Sequence, residues 1–216
     1  MKKNLLVITA GLLISSGAMT QQARFGFTAG AAFANYTTKI DGDDESGDSK
    51  AGITVGVLAD VPFGKNFSFQ PALNFVQKGS KEEETFMGVT EKVKLNINCL
   101  EIPLNLVFNA TSNTGTFFIG AGPSFAFNLS GKLKYDDGTD SFSEDIEIGN
   151  DPDNDILKSL DIGLNALAGY RFPNGLSFSA GYNAGLNNLL PGGSDDGTLK
   201  SHYFSIKLGF MLKGSK

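Results

Sequence analysis

The chain has no tryptophan, one cysteine and one histidine in 216 residues. A single thiol, Cys99, excludes an internal disulfide framework and a cysteine-rich metal site. No apolar run reaches the roughly 18 residues that a membrane helix needs. Charged residues are scarce at 19%, and acids outnumber bases by 23 to 18, for a net charge of −5. That sign argues against nucleic acid as a partner. Without a membrane helix, the remaining way to cross a bilayer is a closed β-barrel, where the strands satisfy every backbone polar group.

What is present begins with an export signal. Lys2 and Lys3 precede a ten-residue apolar segment, Leu5 to Ile14, and then the small residues Ser15, Ser16, Gly17 and Ala18. Residues 1–20 read as a signal peptide cleaved near 18–20, leaving residues 21–216 as one domain. No cysteine lies near the cut, which disfavours a lipoprotein anchor. Removing Lys2 and Lys3 takes the net charge to −7.

The rest of the chain is dominated by period-two alternation, the signature of strands with one apolar face. Leu100, Ile102, Leu104, Leu106 and Phe108 alternate with Glu101, Pro103, Asn105 and Val107. Eight such segments are predicted, over about 25–38, 51–61, 67–78, 91–108, 116–131, 157–172, 176–188 and 201–212. Their apolar faces carry no charge. The opposite faces hold the glycines, among them Gly26, Gly30, Gly56, Gly120, Gly122, Gly163, Gly169, Gly181 and Gly209. An eight-stranded barrel has room inside only for side chains, so the glycine face is the lumen and the apolar face meets lipid. A soluble barrel would carry the inverse pattern. The expected fold is therefore all-β, an eight-stranded antiparallel up-and-down transmembrane β-barrel.

The connections agree. Pro62–Asn66, Asn109–Gly115 and Pro173–Gly175 are short, whereas 39–50, 79–90, 132–156 and 189–200 are long. Strict alternation of short turns and long loops is the outer-membrane pattern. All but three of the 23 acids lie in or directly beside the long segments, and the three exceptions, Asp60, Glu101 and Asp161, have lumen parity. Phe25, Phe67, Phe108, Phe117, Tyr170, Phe172 and Phe210 gather at the short-turn end like an aromatic girdle. Two irregularities are expected. Val93, Leu95 and Ile97 have the opposite parity from Leu100 to Phe108, which suggests a bulge near Asn98–Cys99. Pro71, Pro103 and Pro123 fall inside strands and suggest further bulges.

Several short stretches resemble a known family. Pro71-Ala72-Leu73-Asn74-Phe75-Val76-Gln77-Lys78-Gly79, Leu100-Glu101-Ile102-Pro103-Leu104, Gly120-Ala121-Gly122-Pro123, Asp161-Ile162-Gly163-Leu164 and Gly181-Tyr182-Asn183-Ala184-Gly185-Leu186-Asn187-Asn188 occur in that order. Together they resemble the small outer-membrane β-barrel family of Bacteroidetes, which includes the PorT-like proteins. The resemblance implies a Gram-negative outer-membrane barrel, without an assigned activity for most members. The ending departs from the aromatic terminus usual for recognition by the barrel-assembly machinery, although Phe210 is near.

Lumen-parity charges include Arg24, Asp60, Glu101, Asp161, Arg171 and Lys207. Buried charges need partners, so a barrel-interior charge network is expected, with Glu101 at its centre and Lys207 as its partner. In the third long segment, Asp151, Asp153 and Asp155 alternate as calcium ligands do, but the glycine and distal glutamate of a calcium loop are missing. Asp41 to Glu45 reads similarly, as a solvated acidic loop. Acidic loops at the outer leaflet could share divalent cations with lipopolysaccharide. Ser201 and His202 raise lipid-modifying catalysis, but neighbours on a strand point to opposite faces. Cys99 reads as a small packing residue.

The expectation is a non-enzymatic outer-membrane barrel without cofactor, acting through structural presence and acidic surface loops in adhesion, recognition or envelope integrity. The alternative that the resemblance implies is an accessory role in secretion or envelope assembly. Partners would be outer-membrane lipid, lipopolysaccharide, the assembly machinery, and surface ligands or secretion partners.

Overall fold

The computed structural model describes residues 23–40, 43–86, 89–138, 140–193 and 197–212. The expected export signal and the acidic stretch 41–45 lie outside the residues whose side chains are described. Among the described residues the strands are β1 (Arg24–Ile40), β2 (Asp43–Ser46), β3 (Asp48–Phe63), β4 (Phe67–Phe86), β5 (Val89–Ser112), β6 (Gly115–Asp136), β7 (Ser141–Ile146), β8 (Leu160–Arg171), β9 (Leu176–Gly185) and β10 (Thr198–Met211). Eight of them, all but β2 and β7, form one antiparallel ring in chain order. The ring closes where β1 pairs with β10, from Gly26↔Met211 to Lys39↔Thr198. Closure leaves no open edge in the wall. β2 folds back on β1 and β7 on β6, both at the long-loop end.

Alternation decides which side chains go inside. In β5, Ile97, Cys99, Glu101, Asn105 and Val107 are buried, while Leu106 and Phe108 project outward. The outward surface is a band of Phe, Leu, Ile and Val that includes Phe27, Val57, Phe117, Ile119, Leu164, Phe178 and Leu208. A band of this kind is the wrong surface for water and the right one for lipid. Ring contacts join it at the short-turn end: Phe67 packs on Phe108 at 5.4 Å, and Tyr170 on Phe172 at 5.2 Å. Inward glycines let neighbouring backbones approach. A Cβ at Gly122 would run into the carbonyl oxygen of Leu104, and one at Gly30 into that of Ile206.

Four expectations are corrected. The segment 79–90 is no free loop: β4 and β5 stay paired as far as Phe86↔Val89, so the hairpin stands above the barrel wall. The register does shift between Asn98 and Cys99 against β6, but β5 does not flip. The extra residue is Leu129 of β6, where Leu129 and Ser130 are both exposed and Gly131 turns back inward. Ile97 therefore really points inside, because an apolar cluster waits there. The prolines cause no shift either. Each loses rungs with one neighbour, as at Pro71 between Leu58↔Ala72 and Val61↔Phe69, and the register resumes unchanged. A missing N–H removes a hydrogen bond without adding a residue. Finally, Leu157 precedes β8, which starts at Leu160, and is tucked over the barrel mouth.

Candidate functional site

The three inward acids are all buried, at 0% exposure for Asp60, 1% for Glu101 and 3% for Asp161. They form three tiers along the lumen, each reached because its strand position has inward parity.

At the short-turn end, Asp60 of β3 lies opposite Arg24 of β1. Arg24 Nη2 is 2.5 Å from Asp60 Oδ2, and Arg171 Nη1 approaches the same oxygen at 3.5 Å. Arg171 also donates to Asn109 Oδ1 at 3.3 Å, and its guanidinium lies 6.0 Å from the centre of the Phe118 ring. Two guanidiniums on one carboxylate close this end.

In the middle tier, the partner of Glu101 is corrected. Tyr203 of β10 donates its hydroxyl to Glu101 Oε1 at 2.7 Å. Lys207, the expected partner, makes no ion pair with it. Lys207 instead lines, with Glu101, Gln70, Asn105 and Ser179, an internal cavity of about 70 Å³. A water needs roughly 10–15 Å³ of such volume and two to four polar partners, so the chamber suits a few waters between the two charges. A phenol fits tightly against the carboxylate because β10 brings Tyr203 across the lumen. Nearby, Asn183 donates to Ser124 at 2.6 Å and Asn165 to Asn105 at 2.9 Å.

The third tier contains a residue that the sequence reading left out. Lys78 Nζ is 2.9 Å from Asp161 Oδ2, and Ser201 donates to that same oxygen at 2.5 Å. Lys78 also lies 5.4 Å from the centre of the Tyr203 ring, which links this tier to the middle one. Its parity matches Asn74 and Val76, and this was the available signal. The strand expected over 67–78 ends at this lysine, whereas β4 continues to Phe86.

Above this tier, Tyr36, Ile97, Leu157 and Leu189 form an apolar plug across the mouth. Loop backbone holds it in place: Lys158 N–H donates to Leu189 O at 2.8 Å, and Leu189 N–H to Leu199 O at 2.8 Å.

The loop acids are engaged locally. Asp155 Oδ2 accepts the Asp151 N–H at 2.7 Å, while Asp151 accepts from Asp153 N–H at 3.0 Å and Asn154 Nδ2 at 2.8 Å. The Asn154 amide, then the Asp153 N–H, hold the Asp151 carboxyl below the usual range. Among the described residues no three His, Cys, Asp or Glu side chains are grouped as metal ligands. Ser201 points inward to Asp161, and His202 lies on the opposite face of β10.

The described geometry is thus a lipid-faced ring filled by ion pairs and an apolar plug. Among solved structures, the chain is similar to Ail, the attachment invasion locus protein of Yersinia pestis. That match has 14% identity and a TM-score of 0.42, covering 89% of this chain and all of that one. Another similar structure is Neisserial surface protein A, at 14% identity and a TM-score of 0.45 over the same shares. No curated protein matches the chain. The family model of the outer membrane protein beta-barrel domain matches residues 17–191, most of the chain. The chain belongs to this outer-membrane β-barrel domain family, and the outer membrane is where its lipid-facing band resides.

Proposed function

We propose that this barrel acts without catalysis, as a surface-displayed scaffold for adhesion or recognition, delivered by an export signal in residues 1–20. The observation that carries this reading is the filled lumen. Arg24, Asp60 and Arg171 close one end, and Tyr36, Ile97, Leu157 and Leu189 the other, with a cavity of about 70 Å³ between. A lumen filled in this way does not serve transport, and most of the chain's acids lie in the long outer loops. One solved structure similar to this chain is Ail in complex with the heparin analogue sucrose octasulfate, at 15% identity. Surface ligation of that kind is the sort of activity envisaged here.

The test is to replace residues 147–156 with a short Gly-Ser linker and measure attachment of intact cells to host or matrix surfaces. Reduced attachment with a folded barrel is expected, and unchanged attachment would contradict the reading. The second reading is a PorT-like accessory role in secretion, favoured by the motif resemblance. Those motifs contain Lys78, Glu101 and Asp161, which are interior residues, so the likeness concerns construction of the wall more than any partner surface. Normal cargo secretion in cells lacking the protein would eliminate it.

A further inference from the structure

The chain is acidic overall, yet its tall β4–β5–β6 wall carries lysines side by side. Lys81 of β4 lies directly opposite Lys94 of β5, and Lys94 directly opposite Lys134 of β6. Like charges in directly opposed cross-strand positions destabilise a sheet, so the row opposes the fold that carries it. Neighbouring acids compensate only its flanks. Lys81 has Asp48 at 3.9 Å, Lys92 has Glu83 at 3.8 Å, and Lys132 has Asp145 at 2.9 Å. Lys94 and Lys134, both exposed, have no carboxylate partner among the described residues. Lys50 of β3, whose stem covers Gly79, adds a third positive charge within electrostatic reach of both.

Their height matters. Lys132 and Lys134 follow the outward-facing Leu129 by three and five residues, and Lys94 precedes Leu100 by six. At about 3.3 Å per residue, these positions stand roughly 10–20 Å along tilted strands beyond the last lipid-facing side chains, on the outer side of the membrane, where long lysine side chains reach back toward the headgroups. Lys94 and Lys134 also line a groove of about 280 Å³ with Lys92, Ser141 and Ser143, whose hydroxyls add donors. One carboxylate, Asp136, also lines it, against the three lysines.

We propose that Lys94 and Lys134, with Ser141 and Ser143 beside them, form a phosphate-binding site that clamps the headgroup of an outer-leaflet lipid against the barrel wall. Two ammonium groups without an ion-pair partner, lining one groove with two hydroxyls, match a phosphate monoester. Direct clamping by lysine requires no divalent cation, unlike bridging through the acidic loops.

The test uses the full mature protein in detergent micelles, titrated with bisphosphorylated lipid A and with its dephosphorylated form. Near an anionic membrane surface, losing two lysines lowers affinity roughly 10- to 30-fold. The double variant Lys94→Gln/Lys134→Gln is expected to bind bisphosphorylated lipid A that much more weakly. Lys65→Gln, at a short turn on the opposite end, is expected to bind as the wild type does. Inorganic pyrophosphate that displaces the lipid supports recognition of phosphate alone, whereas failure to displace it supports a headgroup held together with its acyl chains. A double variant that still shows the heat-dependent gel shift of a folded barrel and binds like the wild type would overturn the proposal. So would equal binding of both lipid A forms by the wild type.

Discussion

Lys78 and Asp161 meet at 2.9 Å across the lumen, from strands 83 residues apart, and both are almost completely buried. Neither charge has water to fall back on, so removing one strands the other. Lys78→Met is expected to destabilise the barrel by about 3–5 kcal/mol. Lys78→Met combined with Asp161→Leu is expected to recover most of that loss, because the unpaired charge disappears with its partner. Urea unfolding in lipid vesicles, followed by the gel shift between unboiled and boiled samples, reads both. Equal stability of Lys78→Met and wild type would show that the pair contributes nothing.

Tyr203 supplies the one hydrogen bond that Glu101 Oε1 receives at mid-lumen. Tyr203→Phe keeps the ring and removes the donor. A cost of about 1–3 kcal/mol is expected, the penalty for a buried acceptor left without its partner. Lys207→Met should cost less, since Lys207 makes no ion pair with Glu101 and faces the small cavity. If Lys207→Met proves the more damaging substitution, the partner of Glu101 has been misassigned.

Leu208 is the most exposed large apolar side chain of β10 and lies opposite Ala29, in the middle of the apolar face of β1. Leu208→Arg places a charge near mid-membrane and is expected to destabilise the folded state by about 2–4 kcal/mol in bilayers. In the same measurement, Ser141→Arg on the outer hairpin should change little. A well-tolerated Leu208→Arg would place this face in water.

The wall was the most legible part of the chain, because burial on one face imposes period two and a narrow lumen imposes glycine. Closure, strand count and the inward placement of Asp60, Glu101 and Asp161 followed from those constraints. Pairing across the lumen was less legible. Parity says that Glu101 and Lys207 share a space, but which of Lys207 and Tyr203 reaches the carboxylate depends on strand stagger and side-chain length. Ile97 misled for a similar reason: an apolar residue at inward parity looks like a register change until Tyr36, Leu157 and Leu189 are known to plug the mouth. The height of the β4–β5 hairpin was hidden because Lys81 to Glu84 resemble loop composition, although they remain paired.

Asp151 organises the turn that follows it through Asp153 N–H and Asn154 Nδ2. Its folded-state carboxyl is shifted downward, so its contribution to turn order is present above the ordinary aspartate range, about 3.9, and is lost as pH falls through the lower folded value. Amide exchange at Asp153 and Asn154 should accelerate on acidification, and Asp151→Ala should show the fast rate at neutral pH. Exchange that is independent of pH, after correction for intrinsic rates, would remove Asp151 from this role.

The lipid-facing alternation of β5 is the most direct test of the barrel itself. In a Cys99→Ala background, single cysteines at Leu104, Asn105, Leu106 and Val107 can each carry a fluorophore in lipid vesicles. A membrane-soluble quencher should reach the labels at Leu104 and Leu106, while Asn105 and Val107, buried in the lumen, should be protected or label poorly. Quenching that fails to alternate, or that favours Asn105 and Val107, would contradict a closed barrel with lipid on its apolar face.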